Sequence, residues 1–231
     1  MHVALITGAS RGLGRALAQA LAERRWTLVI DGREPKALEA AALQLGRLTT
    51  VRAVAGDVAD PAHRKALFDA VGDLGRLDLL VNNASVLGPS PQPFLSDYPL
   101  DVLEDVYRVN TFAPVALMQL GIPYLEAARG RIINITSDAA AEAYEGWGGY
   151  GSSKAALEQV TSVLAAEHPG LRIYSADPGD LRTRLHQEAF PGEDISDRPL
   201  PEVAVPGLLM LVDGDLASGR YQVQALAVSP S

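Results

Sequence analysis

The sequence predicts an α/β fold, a doubly wound parallel sheet of about seven strands flanked by helices on both faces. Three observations carry this expectation. Short β-branched apolar runs alternate with longer segments of helical periodicity along most of the chain. Several of those runs are apolar nearly throughout, as strands are when helices cover both faces of a sheet. No internal repeat, low-complexity tract or linker interrupts residues 1–231, so they read as a single domain.

In chain order, strands are expected at Val3–Ile6, Thr27–Ile30, Thr50–Val54, Leu77–Val81, Arg131–Thr136, Leu171–Ser175 and Tyr221–Ala225. Helical spacing marks Leu13–Arg24, Pro35–Leu45, Pro61–Val71, a long stretch from about Leu100 to Ala128, and Tyr150–His168. In the first of these, Leu13, Leu17, Ala20 and Leu21 share one face. Pro35 and Pro61 stand where helices begin, a position that tolerates a missing N–H. Repeated strand–helix–strand units imply right-handed crossovers between parallel strands. Two stretches look irregular, Leu87–Pro99 and Leu185–Pro201. Long loops in a compact domain are commonly functional, and a substrate loop is expected at about residues 184–201.

Composition removes several kinds of chemistry. With no cysteine, disulfides, thiolate metal sites and thiol nucleophiles are excluded. His2, His63, His168 and His186 show no metal-ligand spacing and read as structural or surface residues, so no metal site is expected. A net charge of −8 argues against a general nucleic-acid binder, which needs excess Lys and Arg. The start has no basic segment ahead of an apolar run, and no stretch approaches 18 apolar residues, so neither a leader nor a membrane span is expected. The expected setting is cytoplasmic.

The residues Thr7-Gly8-Ala9-Ser10-Arg11-Gly12-Leu13-Gly14 follow the first strand and open the first helix. Glycine there permits a tight turn and close approach of backbone to a pyrophosphate, and the helix N-terminus offers unpaired N–H groups. Tyr150 and Lys154, four residues apart, share one helix face. A phenol is a poor acid–base at neutral pH, and a neighbouring ammonium stabilises the phenolate. Ser137, thirteen residues before Tyr150, ends an apolar strand on the side where parallel sheets bind ligands. A hydroxyl there can orient a substrate carbonyl, although a simple strand-end turn is the plainer reading. Asn110 lies inside a helical pattern, where a solvated surface amide is the plain account. Asp138 reads as a turn residue rather than a second acid–base group.

With Thr7-Gly8-x-x-x-Gly12-x-Gly14 and Tyr150-x-x-x-Lys154, the chain resembles the short-chain dehydrogenases/reductases in their compact single-domain, Rossmann-like form. The likeness runs from about Val3 to Thr183. It implies that Asn110, Ser137, Tyr150 and Lys154 form the catalytic set. Tyr150 would exchange a proton with the carbonyl or alcohol oxygen, and Ser137 would orient that oxygen. Lys154 would lower the Tyr150 pKa and hold the nicotinamide ribose, and Asn110 would support a water relay to Lys154. It also assigns cofactor binding to Gly8, Ser10, Arg11, Gly12, Leu13 and Gly14 of the glycine loop. Asp57 and Val58 after the third strand, and Asn83 and Ala84 after the fourth, match positions beside the cofactor. Pro178, Gly179 and Thr183 match the segment beside the nicotinamide amide.

The implied activity is interconversion of a ketone or aldehyde with an alcohol by hydride transfer, in a homodimer or homotetramer. Three departures stand out: Ser85 replaces a glycine, Asp177 precedes Pro178, and the closing Asp-Gly-Gly is missing.

The choice of nicotinamide turns on Ile30-Asp31-Gly32-Arg33. If Gly32 takes the usual acidic position, Arg33 and Arg11 converge on a 2′-phosphate and the cofactor is NADP. With a strand one residue shorter, Asp31 takes that place and NAD is favoured. Tyr144 and Trp147, between Ser137 and Tyr150, are candidate walls for a small-molecule substrate, with Tyr98, Leu87, Leu185 and Phe190 contributed by the irregular stretches. Two rival readings remain. One is a catalytically idle nucleotide-sensing protein, motivated by the altered C-terminal part. The other is an epimerase or dehydratase, for which 231 residues leave little room for a larger substrate domain.

Overall fold

The computed structural model describes residues 1–227. Seven strands, β1 (Val3–Ile6), β2 (Thr27–Gly32), β3 (Val51–Ala55), β4 (Leu79–Asn82), β5 (Arg131–Ile135), β6 (Arg172–Asp177) and β7 (Gly219–Gln222), form one parallel sheet. Its spatial order is β3-β2-β1-β4-β5-β6-β7. The chain therefore builds outward from β1 in one direction, then returns to build outward in the other. Beyond the carboxyl ends of β1 and β4, where the direction reverses, crossover connections diverge and leave a crevice.

The helices are α1 (Gly12–Glu23), α2 (Pro35–Leu45), α3 (Pro61–Leu74), α4 (Leu100–Tyr107), α5 (Ala113–Ala128), α6 (Gly148–Glu167), α7 (Arg184–Ala189), α8 (Val205–Asp213) and α9 (Val223–Leu226). Leu17, Leu21, Leu38, Leu208 and Leu211 from α1, α2 and α8 cover one sheet face, against Ile6, Ile30 and Ile133. Leu67, Val71, Leu117 and Leu125 from α3 and α5 cover the other, against Leu5, Leu80 and Ile132. Every residue of β1, β2 and β4 is buried, which is why these strands read as nearly continuous apolar runs. Each such Leu or Ile withdrawn from water contributes roughly 1.5–3 kcal/mol.

The doubly wound sheet and the first six strands stand close to expectation; the differences lie mainly in the C-terminal part. The last strand comes earlier than Tyr221–Ala225 and ends at Gln222, where α9 begins. A Cβ on Gly207 would fall 1.7 Å from the Val223 carbonyl oxygen, so α8 and Val223 meet backbone to backbone and the chain turns away from the sheet. The stretch Leu185–Pro201 is not wholly irregular, because Thr183 caps α7 by accepting a hydrogen bond from His186 N at 3.2 Å. Helix α8 has no counterpart in the sequence reading. The long helical stretch is continuous, but α4 passes into α5 through a wide π turn at Arg108–Phe112 that contains Asn110. No helix among the described residues is long and apolar enough to cross a membrane, and no three His, Cys, Asp or Glu among them gather as a metal site.

Candidate active site

The strand ends border a cleft of about 620 Å³. At its first end the glycine loop is pinned from below. Gly8 N donates to Asp31 Oδ1 at 2.6 Å, and Asp31 Oδ2 lies 3.0 Å from His63 Nε2. Asn83 N and Ala84 N both donate to Thr7 Oγ1, and Asn83 Nδ2 donates to Thr7 O, which locks the ends of β1 and β4 together. Gly8 has φ +64°, and a Cβ there would press on Ala84 Cα at 3.0 Å. Ser10, Arg11, Gly12, Leu13, Gly32, Arg33, Asp57, Val58, Asn83 and Ala84 all line the cleft. Gly14 does not line it. A Cβ on Gly14 would fall 2.5 Å from Asn83 Nδ2 and 2.7 Å from Gly8 O, so this glycine lets the loop close on itself.

The alternative placing of Asp31 fails. Strand β2 runs on to Gly32, and the Asp31 carboxylate, 1 % exposed, is committed to Gly8 N and His63. Gly32 and Arg33 thus stand at the strand end. Arg11 is not held open for a phosphate: it pairs with Glu34 at 2.6 Å, and Glu34 pairs with Arg184 at 3.1 Å.

At the other end, Tyr150 and Lys154 occupy one face of α6, with Nζ 5.6 Å from the phenol ring centre. Both are buried, and Lys154 Nζ donates to Ile135 O at 2.8 Å. Burial pushes the Tyr150 phenol up from its ordinary range; the facing Ser85 and Ser137 hydroxyls oppose this, and the Asp177 and Asp138 carboxylates add to it. Burial also brings Lys154 down to about 8, against the pull of Glu158. The anticipated lowering of the phenol by the amine is therefore overridden by desolvation in the free protein.

Ser137 lines the cleft, with its hydroxyl donating to Asp138 Oδ1 at 2.8 Å and accepting from Ala139 N at 3.2 Å. Asp138 also accepts from Ala139 N and is a turn residue, as read from the sequence. Asn110 is not a surface amide. It is fully buried; Oδ1 accepts from Ser85 Oγ and Val86 N, and Nδ2 donates to Val86 O and Ser153 Oγ, all within 3.0 Å. Its side chain does not line the cleft and is spent on fixing the Ser85–Val86 segment against α6.

A family profile described as short chain dehydrogenase matches residues 2–194. The chain belongs to the short-chain dehydrogenase/reductase family. It is 36 % identical over 197 residues to D-threitol dehydrogenase of Mycolicibacterium smegmatis, covering 82 % of this chain and 74 % of that one. A solved short-chain dehydrogenase from Pseudomonas syringae superposes with a TM-score of 0.90 at 28 % identity, covering 96 % of this chain and 94 % of that one. One from Shigella flexneri, complexed with NADP, gives 0.88 at 28 % identity and covers 96 % and 97 %.

Ser85 sits between Asn110, to which its hydroxyl donates, and Tyr150, which it faces. Asp177 lines the cleft, and its Oδ1 accepts from Gly179 N at 3.0 Å. Pro178, Gly179 and Thr183 line the cleft opposite the glycine loop, where a Cβ on Gly12 would come within 3.7 Å of Thr183 Cγ2.

Beside the pair, Trp147 meets the Tyr150 ring edge-on at 5.8 Å and lies 6.1 Å from Phe190. Leu185 and Glu188 of α7 join that wall, while Leu87 is buried against Tyr150. Tyr144 is not part of it: the ring is 46 % exposed, and its hydroxyl donates to Asp138 Oδ2 at 3.1 Å. Tyr98 is buried against Gly88 and Gly149 rather than on the cleft wall. Two of the histidines that lack metal-ligand spacing have definite places. His63 supports Asp31, and His186 lines the cleft with Nε2 buried and without a hydrogen-bond partner among the described residues. No local signal marks either one, because both positions depend on distant elements.

Proposed function

We propose that this chain is an NADP-dependent oxidoreductase that interconverts a ketone or aldehyde with the matching alcohol by hydride transfer, with Tyr150 as the proton donor and acceptor. The observation that carries the reading is that Tyr150, Lys154 and Ser137 line the same cleft as the glycine loop. The cleft suits a dinucleotide chemically. Close backbone packing at Gly8 and flat backbone at Gly32, where a Cβ would meet Ser10 Oγ at 3.0 Å, leave room for a phosphate-bearing chain. The NADP complex of the Shigella flexneri relative supports the same cofactor.

The amides from Gly8 to Leu13 would hold the pyrophosphate, and Arg33, with Arg11 released from Glu34, the 2′-phosphate. Asp57 and Val58 would flank the adenine, Lys154 the ribose, and Pro178 to Thr183 the nicotinamide. Bound there, NADP supplies the hydride. Tyr150, kept protonated by burial, donates its proton to the substrate oxygen in reduction. Lys154 holds positive charge beside the phenolate that this leaves. The Ser137 hydroxyl orients the oxygen, and Trp147 with Leu185 excludes water from the wall.

The same reading includes pairing of two copies across α5 and α6, whose outer faces expose Leu120 and Val163, with Phe112 exposed at the preceding turn. Light scattering that gives a monomer mass would remove this part.

A panel of ketones and aldehydes assayed with NADPH and with NADH tests the proposal. We expect NADPH oxidation with at least one member, and a fall of about 10²–10⁴-fold in Tyr150→Phe. Turnover that survives Tyr150→Phe overturns the mechanism, and a strong NADH preference overturns the cofactor.

A further inference from the structure

Two features that set this chain apart, Asp177 before Pro178 and the altered C-terminal strand, are joined by one side chain. Arg220 on β7 donates through Nε to Glu158 Oε1 at 2.9 Å. Through Nη2 it donates to Asp177 Oδ2 at 3.0 Å and to Ser137 O at 3.3 Å. Glu158 stands one turn beyond Lys154 on α6 and also accepts from Thr136 Oγ1 at 2.6 Å. The Asp177 side chain is only 4 % exposed while Arg220 is 31 % exposed, so the Asp177 end of this bridge lies where water screens little. Beside it, Gln224 Nε2 donates to Pro178 O at 2.7 Å, so the C-terminal segment holds the Pro178–Gly179 loop directly there and, through the Arg220–Asp177 pair, at Gly179 N, which donates to Asp177 Oδ1.

We infer that Arg220 is a positioning residue of the catalytic end: by bridging Glu158 and Asp177 it limits how strongly these two carboxylates act on Lys154 and Tyr150. The inference goes beyond the proposed reaction, and only its kinetic arm rests on it. Tyr150 is faced by Ser85, Ser137, Asp138 and Asp177, and Lys154 by Glu158 and the Ile135 carbonyl. Asp138 is engaged by Ser137, Ala139 N and Tyr144, outside the reach of Arg220. Glu158 favours the charged form of Lys154, and Asp177 disfavours the phenolate of Tyr150. A cation bonded to both carboxylates weakens both effects. Its loss leaves the negative field at Nζ larger, so the Lys154 titration must rise.

The chain has three lysines, Lys36, Lys65 and Lys154, and the first two are exposed. Carbon-13 NMR of protein labelled at lysine Cε therefore resolves the Lys154 titration without any turnover. We expect Arg220→Met to raise it by about one pH unit. Glu158→Gln should lower it, and the double variant should return it towards the parent value. Arg220→Lys should keep most of the parent behaviour. In the kinetic arm, the alkaline limb of kcat/KM should move with the NMR titration in each variant.

A merely structural role would alter melting temperature or KM without driving Arg220→Met and Glu158→Gln in opposite directions. No shift in Arg220→Met, or shifts of the same sign in both, overturns the inference. If Arg220→Met fails to fold, a Glu158→Gln titration that does not fall overturns it equally. If no carbonyl is turned over at all, the proposed function falls while the NMR result still decides the role of Arg220.

Discussion

The two ends of the cleft are built by different means. At the glycine-loop end the contacts to a ligand would come from backbone amides, and the support is a short buried chain, Gly8 N to Asp31 to His63. The charges there lie at the rim and in water: the side chains of Arg11, Glu34 and Arg184 are 41 %, 56 % and 62 % exposed. At the Tyr150–Lys154 end the ionisable groups themselves are buried. Tyr150 and Lys154 are 6 % and 2 % exposed, and the Asp177 side chain is 4 % exposed. Rim charges are screened by water and salt, so changing one leaves its neighbours nearly unaffected. Buried charges are unscreened, so removing one shifts every neighbour. The first end can therefore tolerate much variation in its charges, while the second behaves as one coupled unit.

Lys154→Met should separate the two ends most sharply. We expect carbonyl reduction to fall by about 10²–10⁴-fold while NADPH still binds through the glycine loop. The same variant should be more stable at pH 7, because a buried ammonium is costly and its loss relieves a strain kept for function. Burial lowers Lys154 from 10.5 in its ordinary state to about 8, so below about 8 the unfolded chain carries the ammonium more cheaply than the folded one. Parent stability must then rise as pH climbs from about 8 towards 10.5, and the methionine variant must lack that rise. Thermal melts at pH 7 and pH 9.5 check it: we expect a gain of roughly 1–3 kcal/mol for the variant at pH 7, shrinking at pH 9.5. A variant less stable at pH 7 would show that the bond to Ile135 O outweighs desolvation.

The same division explains what could be read from the sequence. The glycine loop and the Tyr150–Lys154 pair are local, set by spacings of a few residues on an element whose period is known. Asp31 was a candidate ribose ligand because its true partners, Gly8 and His63, stand 23 and 32 residues away. Arg220 carried no signal at all, since Asp177 and Glu158 are 43 and 62 residues distant. Asn110 was placed correctly in a helical stretch, yet the π turn rotates it inward, and a period of 3.6 cannot express that rotation. In the C-terminal part, the end of β7 is set by close approach of Val223 to Gly207, a tertiary contact that no window of the sequence contains.

At the rim, Arg33→Ala should raise KM for NADPH by about tenfold and leave KM for NADH unchanged, since a guanidinium bonded to a phosphate contributes more than a neutral contact. Initial rates with both cofactors measure it. Equal effects on the two would place Arg33 against the adenine rather than the 2′-phosphate, and the distinction between a screened rim and a coupled interior would have to be redrawn on that side.

The smallest expected effect sharpens the comparison furthest. Hydrogen bonding and charge from Arg11, followed by Arg184, hold the Glu34 carboxyl below its usual range, so it is ionised at neutral pH and competes for Arg11 with any incoming phosphate. Glu34→Gln removes that competitor and should lower KM for NADPH about twofold at low ionic strength. Because all three side chains are exposed, the difference from the parent should vanish near 1 M salt, where the screening length is about 3 Å. The buried pair makes the opposite demand: the Lys154 titration should barely respond to the same salt. If Glu34→Gln instead raises KM for the carbonyl with NADPH unaffected, the important half of the bridge is the tie to Arg184, and the rim acts by holding α7 over the substrate rather than by tuning the phosphate site.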